Sequence, residues 1–214
     1  MSVRLPHSPG WLEGLRQTSP ADPLRVLVSG CLAGLPCGVD GSDYGMGGAL
    51  SDLLALPTLQ AVTFCPEDHG LGTPRSMPDI HGGDGEDVLG GRARVLDERG
   101  ADLTAGMLAG ARAMLEHAPV HAVEIAILTD MSAACGSQVI SDGCRLVPQR
   151  RCRAGVGVAT ALLLRHGIPV VSQRDQRTLC RLRACLDPGF EPDPAARDHH
   201  ETDWYRAAFG GERR

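Results

Sequence analysis

Strand and helix patterns alternate along this chain of 214 residues, which predicts an α/β fold with a mostly parallel, Rossmann-like sheet. The length suits one hydrophobic core and is short for two. Apolar residues make up 43% of the chain and charged residues 22%, close to the average of folded soluble domains. We therefore expect a single three-layer domain, with helices on both faces of the sheet.

Four short apolar runs supply the strands of the predicted sheet. Each run is rich in β-branched residues and ends at a Gly, Pro, Ser or Thr, as buried strands do. The runs cover residues 25–29, 61–65, 123–128 and 168–171. A shorter strand is predicted at 92–96, and the Gly- and Pro-rich segment 66–91 before it is predicted as loop.

Helical spacing of apolar residues predicts four helices between and after these strands. They cover residues 49–56, 104–117 and 157–166, with a last helix after the capping sequence Ser172 to Asp175. The Pro-rich residues 1–22 are predicted to form an N-terminal arm and residues 187–214 a C-terminal tail. Residues 23–186 then form the single folded domain, which would carry any cofactor or catalytic site.

Cysteine-bearing loops follow three of the predicted strands. These loops begin at Cys31, at Cys65 and at Asp130, the last of them reaching Cys135. Because the carboxyl ends of parallel strands lie at one edge of a sheet, the three loops should converge there. Buried apolar thiols are the ordinary alternative, since free cysteine is often buried. Convergence at three strand ends favours a shared site.

The composition excludes several kinds of chemistry. All 21 basic residues are Arg, so a Schiff base, a Walker A phosphate loop and a Lys general base are ruled out. A net charge of −5 disfavours nonspecific nucleic-acid binding. No stretch is long and apolar enough to span a membrane, and no signal peptide is apparent. These features lead us to expect a cytoplasmic protein; they do not indicate an oligomeric state.

Eight cysteines in a chain without a secretory signal indicate reduced thiols more than disulfides. None of them form the closely spaced pairs that zinc fingers use. Cys144 and Cys152 flank an Arg-rich loop, and Cys180 and Cys185 fall on different sides of the last helix, where core packing is expected. His199 and His200, in the acidic tail, are expected to be solvated.

Several sequence blocks resemble the thiouracil desulfidase (TudS) family. They are Val-Ser-Gly-Cys31-Leu-Ala-Gly-Leu-Pro-Cys37-Gly-Val-Asp-Gly, Phe-Cys65-Pro-Glu67, Thr73-Pro-Arg75 and Ser132-Ala-Ala-Cys135-Gly, within residues 25–175. The resemblance implies a [4Fe–4S] cluster held by Cys31, Cys37 and Cys135, with one iron open to a sulfur atom of a thiolated nucleobase. In some relatives the third thiolate comes from the position of Gly70, and Cys65 competes with Cys37 for that role.

The resemblance also implies catalytic residues. Glu67 stands where the family has a glutamate that activates water. A Lys-Ser-Arg-Ser-Pro-Ser-like stretch is expected before Cys135, but residues 129–134 differ, and Asp130 replaces a substrate-facing serine. An acid there would donate a hydrogen bond only with a raised pKa. Ser132 is expected beside the cluster.

Three functions follow from these observations. The first is cluster-dependent, non-redox desulfurisation of a 2-thiouracil-like pyrimidine. Its substrate would be a small thiolated nucleobase, and sulfide would be released. The second is a zinc-stabilised binding module without turnover. The third keeps the cluster but acts as a sulfur carrier or on thiolated tRNA nucleosides. The metal content separates the first from the second, because a closed structural zinc site takes four ligands and a reactive centre keeps one position open.

Overall fold

A computed structural model describes residues 10–210 and has a four-stranded parallel sheet at its centre. Its strands in chain order are β1 Leu24–Ser29, β2 Leu59–Phe64, β3 Asp79–His81, β4 Arg94–Leu96, β5 Ile125–Leu128, β6 Val139–Ser141, β7 Cys152–Ala154 and β8 Val170–Ser172. Its helices are α1 Gly10–Glu13, α2 Ser51–Leu54, α3 Pro66–Leu71, α4 Gly85–Leu89, α5 Thr104–Val120, α6 Val158–Arg165, α7 Gln176–Leu186 and α8 Asp203–Phe209.

The central sheet has the strand order β2-β1-β5-β8, and all neighbours in it are parallel. The chain leaves β1 toward one side of the sheet and leaves β5 toward the other, so the order reverses between these two strands. Such a reversal opens a crevice at the carboxyl ends of the strands. The predicted α/β fold with a parallel sheet is confirmed.

Helices cover both faces of this sheet because its strands are apolar on both sides. On one face, Leu27 and Leu128 belong to the same buried cluster as Met107 and Met114 of α5 and Leu163 of α6. On the other face, a second cluster contains the following buried residues: Val26, Val28, Ile127, Leu53 of α2, and Leu179 and Leu182 of α7. Full burial of each such side chain contributes roughly 1.5–3 kcal/mol. The two clusters make the three layers.

The four central strands lie within two residues of their predicted positions at each end. The predicted helix at 104–117 continues to Val120, whereas the one at 49–56 shortens to Ser51–Leu54. The last helix begins at Gln176, after the predicted capping sequence. Within that sequence, Asp175 closes a turn by accepting the amide of Ser172 at 3.0 Å.

The prediction of loop over residues 66–91 is wrong. The segment contains helix α3, which Cys65 caps and Pro66 opens, and helix α4, which begins with a capping box between Asp84 and Asp87. It also supplies β3, which pairs antiparallel with β4. The hairpin of β6 and β7 was likewise not predicted. Elements this short do not extend over enough residues to show the apolar periodicity on which the predictions depended.

Both ends of the described chain pack against the domain. In the predicted arm, Leu12 is buried in the second cluster and Arg16 binds both carboxylate oxygens of Glu124 at 2.7 and 2.9 Å. Residues 1–9 and 211–214 lie outside the described part, so the predicted arm and tail fall partly there. Within residues 10–210, no helix combines the length and the apolar character needed to cross a bilayer.

Candidate functional site

A cavity of about 320 Å³ opens at the carboxyl ends of β1, β2 and β5. The loops after these three strands form its walls, as the convergence argument predicts. The site residues expected from the sequence are all found around it: Cys31, Cys37, Cys65, Glu67, Asp130, Ser132 and Cys135. Arg75 also lines the cavity.

Four thiols reach this cavity from three separate loops. Cys31 lies in a short 3-10 turn directly after β1, and Cys37 follows on the same loop. Cys65 caps α3 at the end of β2, and Cys135 lies on the loop after β5. All four are free thiols. A Cβ atom built on Gly30 would stand 3.0 Å from the Cys37 sulfur, so the glycine leaves space for that thiol.

Burial keeps these thiols protonated when no metal is bound. Desolvation raises the pKa of Cys31 and of Cys65, although hydrogen bonds from Thr129 and from the Asp68 amide act in the opposite direction. Desolvation also raises the pKa of Cys37 and Cys135, whose residues are only 5% exposed. Thiols of this kind are poor nucleophiles, and they become metal ligands by giving up their protons to bound metal.

Gly70 does not offer an alternative position for a thiol ligand. It lies on α3 where that helix meets α5, and a Cβ atom there would overlap the backbone of Gly106. A Cβ atom on Gly110 of α5 would likewise overlap the carbonyl oxygen of Pro66. Any side chain at these glycines would push the two helices apart. A thiol at position 70 is therefore excluded in this chain, and the free thiols that line the cavity nearby are Cys37 and Cys65.

A buried carboxylate lies beside the thiols. Glu67 Oε2 accepts from Arg75 Nη2 at 2.8 Å, and Glu67 Oε1 accepts from Ser132 Oγ at 2.8 Å. The side chains of Arg75 and Glu67 are 5% and 11% exposed. Arg75 Nη1 also donates to the carbonyl of Cys37 at 3.0 Å, which ties this pair to the first loop. The carboxylate is thus fixed in place where it lines the cavity.

Ser132 links this carboxylate to the third loop. Its hydroxyl oxygen accepts the amides of Ala134 and Cys135 at 3.1 and 3.0 Å while its hydrogen goes to Glu67. Ser132, which was expected beside the cluster, lines the cavity and has these three protein partners. Glu67 and Cys135 are thereby held in a fixed relation to each other.

The carboxylate of Asp130, which the sequence led us to expect near the substrate, has protein partners on both oxygens. Its Oδ1 accepts the backbone amides of Ser137, Gln138 and Val139 at 3.0, 3.1 and 3.2 Å. Its Oδ2 contacts His199 Nδ1 at 2.7 Å. Burial opposes ionisation, but these hydrogen bonds hold the pKa of Asp130 below its ordinary value. The carboxylate therefore stays charged and turns into the protein, where it organises the loop after Cys135.

The contact between His199 and Asp130 was not predicted from the sequence. His199 was expected to be solvated, yet it is 3% exposed. No local signal could have found it, because its partner lies 69 positions earlier in the chain.

Cys185, expected in the core, is exposed, and Cys180 is half-buried.

The donor set fits an iron–sulfur cluster better than a single zinc ion. Thiolates are the usual ligands of such clusters. Four thiolates around one zinc ion lie about 3.8 Å apart, given a zinc–sulfur distance of about 2.3 Å. In the described part of the chain, no three of these sulfurs lie within 4.8 Å of one another, whereas ligand atoms of Asp175, Asp198 and His200 do. The cavity thus offers four free thiols, the type of donor that holds an iron–sulfur cluster.

Fold and site together define a class: a parallel α/β domain with a thiol-lined pocket and an internal carboxylate at its strand ends. The model of the 2-thiouracil desulfurase family matches residues 26–175. The chain belongs to that family, as the sequence blocks indicated. It is 35% identical over 153 residues to the uncharacterised protein YbbK of Bacillus subtilis (strain 168), covering 70% of this chain and 96% of that protein.

A solved structure shares this fold. It is that of TudS, described as a [4Fe-4S]-dependent thiouracil desulfidase, and it is 36% identical to this chain with a TM-score of 0.57. The match covers 70% of this chain and 90% of TudS.

Proposed function

We propose that this chain is a desulfidase that hydrolyses the C=S bond of a thiolated pyrimidine such as 2-thiouracil and releases sulfide. The observation that carries the proposal is the meeting of four free thiols and the Glu67 carboxylate in one cavity, inside the range that the family model matches. The resemblance to TudS supports the same assignment.

The proposed cofactor is a [4Fe–4S] cluster held by Cys31, Cys37 and Cys135. Cys65 remains close enough to compete with Cys37, since both lie next to Gly30. With three protein ligands, a bound cluster supplies one open iron as a Lewis acid toward the sulfur of the substrate. The four raised thiol pKa values mean that loading has to release protons from the ligands.

Glu67 is the proposed general base. Arg75 and Ser132 each take one of its oxygens, which fixes the carboxylate and leaves a further lone pair on each oxygen toward the cavity. A water held there would lose its proton to Glu67 as it attacks the thiocarbonyl carbon. The balanced reaction exchanges C=S and water for C=O and hydrogen sulfide, with no net oxidation or reduction.

The cavity favours a small substrate. Its volume of about 320 Å³ lies at the small end of ligand pockets. Its walls hold no Lys and three Arg residues, of which Arg75 and Arg145 are paired with Glu67 and Asp79 and Arg174 is the third. A free or lightly substituted thiopyrimidine fits this volume. This proposal implies a cytoplasmic protein, because thiols stay reduced in the cytoplasm.

The test combines metal analysis with one substitution. Anaerobically reconstituted protein should contain about four irons and four acid-labile sulfides per chain and release sulfide from 2-thiouracil. Glu67→Gln should keep the iron and lose turnover by roughly 10²–10⁴-fold, the range for a general base. Cys135→Ala should lose the iron, whereas Cys185→Ser, outside the cavity, should keep it. Zinc in place of iron, or full turnover by Glu67→Gln, would overturn the proposal.

A further inference from the structure

The C-terminal segment of residues 198–209, which consists of a 3-10 turn at His199–Glu201 and helix α8, lies beyond the range that the family model matches. It is nevertheless bound to the rear of the site. Thr178 of α7 donates its amide and hydroxyl to the two oxygens of Asp198 at 2.8 and 2.7 Å. The amide of His199 donates to Asp175 at 3.0 Å. These buried contacts hold the segment against the start of α7.

From this position His199 reaches the loop after β5. Its Nδ1 lies 2.7 Å from Asp130 Oδ2, and the two side chains are 4% and 0% exposed. The ionised carboxylate can only accept, so Nδ1 carries the hydrogen. The imidazole also stacks on Trp204 of the same segment, with ring centroids 5.5 Å apart and planes 9° apart. The ring is therefore held from both sides.

Asp130 connects His199 to the loop that carries Cys135. While Oδ2 contacts His199, Oδ1 accepts three consecutive amides that begin two residues after Cys135. The same loop contains Met131 in the left-handed region at φ 63°, a conformation that costs about 1 kcal/mol in a residue with a side chain. Fixed partners on both oxygens keep this strained loop in one conformation.

We propose that His199 is a positioning residue and that the segment 198–209 is a clasp, which holds the cluster-binding loop through Asp130. The clasp acts on the backbone of residues 130–139 and touches neither the cavity nor a thiol. Its loss leaves a buried carboxylate with an unoccupied oxygen, which lets the loop open. The inference about the loop stands without the proposed function, and only the consequence for the cluster depends on it.

Two substitutions at position 199 separate the hydrogen bond from the packing. His199→Asn keeps an N–H donor near the position of Nδ1. His199→Phe keeps an aromatic ring to stack on Trp204 but removes the donor. A third variant, Trp204→Ala, removes the stacking partner and keeps the hydrogen bond. All three are made in the full chain.

The first readout is amide hydrogen exchange of the metal-free, reduced protein. In His199→Phe, the amides of Ser137, Gln138 and Val139 should exchange at least tenfold faster than in the wild type. In His199→Asn they should stay within about threefold, and in Trp204→Ala they should change less than in the Phe variant. Equal exchange in the Phe and Asn variants would overturn the proposal. So would faster exchange confined to residues 198–209.

The second readout is the lifetime of the reconstituted cluster, followed by loss of its visible absorption under an iron chelator. The Phe variant should lose the cluster severalfold faster than the wild type, with the Asn variant restoring the lifetime. If the wild-type chain takes up no iron, the proposed function fails while the exchange experiment still decides the clasp. If exchange accelerates but the cluster lifetime does not change, the clasp does not serve the cofactor and the positioning role is overturned.

Discussion

Replacement of Arg75 by methionine gives a direct measure of how strongly the site depends on its buried ion pair. The guanidinium is the single cationic partner of Glu67 among the described residues, and both side chains are almost fully buried. Methionine has a similar length and no charge. The variant therefore leaves Glu67 in a desolvated cavity with only the hydrogen bond from Ser132.

The expected cost follows from the contacts that are lost. Removal of one partner of a buried ion pair costs about 3–5 kcal/mol, and we take about 3 because Ser132 still donates to the carboxylate. Arg75 Nη1 also donates to the Cys37 carbonyl and the Thr73 hydroxyl, both at 3.0 Å and partly buried. Each of these bonds contributes about 1 kcal/mol. Arg75→Met should therefore lower the free energy of unfolding by about 5 kcal/mol.

Urea unfolding of the metal-free, reduced protein, followed by far-ultraviolet circular dichroism, measures this cost. With a slope of about 2.5 kcal/mol per molar urea, the midpoint should fall by about 2 M. Glu67→Gln in the Arg75→Met background should restore about 3 kcal/mol, since no buried charge then remains. Arg165→Met is a matched control, because the Arg165–Glu86 pair is exposed and is expected to contribute less than 1 kcal/mol.

Two results would refute this reasoning. A loss below 1 kcal/mol in Arg75→Met would mean that the carboxylate finds water or another donor in the cavity. Absence of rescue by Glu67→Gln would mean that the lost contacts of Nη1, and not the unpaired charge, account for the cost.

Three further predictions concern packing, pH and ligand choice. Gly110→Ala should cost about 1–3 kcal/mol in urea unfolding and lower turnover, because its Cβ would push α3 and Glu67 away from α5; Gly48→Ala, with open space around it, should be neutral, and equal effects would contradict the packing argument. Burial, with the charge of Asp198, raises the pKa of Asp175 to about 6, so its stabilising contribution is complete below about pH 4 and is lost as the pH rises through 6. Between pH 5 and 7.5 the free energy of unfolding of the wild type should fall by about 1.4 kcal/mol relative to Asp175→Asn, and parallel pH profiles in urea unfolding would rule this out. Cys37→Ala should lose most of the iron on reconstitution and Cys65→Ala should retain it, and iron analysis giving the reverse would make Cys65 the third ligand.

The sequence was sufficient to predict the central sheet and the place of the site. Apolar runs such as the one that forms β1 are buried on both faces, and that pattern is typical of parallel strands. Once the strands are parallel, the loops at Cys31, Cys65 and Cys135 must share an edge. Glu67 could be found because it lies shortly after the end of β2 within a motif of the family.

Other parts of the site depend on contacts that local patterns do not encode. The orientation of Asp130 is decided by three backbone amides and by His199. Backbone amides leave no signal in the sequence, and His199 lies 69 positions after Asp130. Helix α3 was missed because Gly70 near its end and Gly72 just after it indicate a loop. Gly70 is in fact required by the close contact with α5.

The pairing of β1 with β5 has a consequence for how the protein matures. Val26 aligns with Ile125 across these strands, so Cys31 and Cys135 meet only after about 100 intervening residues have been arranged. A small zinc finger gathers its ligands locally and folds around its metal. Here the apolar sheet and its helices have to assemble first, so the proposed cluster would be loaded into a cavity that has already formed. Biogenesis of the active protein is therefore expected to follow folding as a separate, later step.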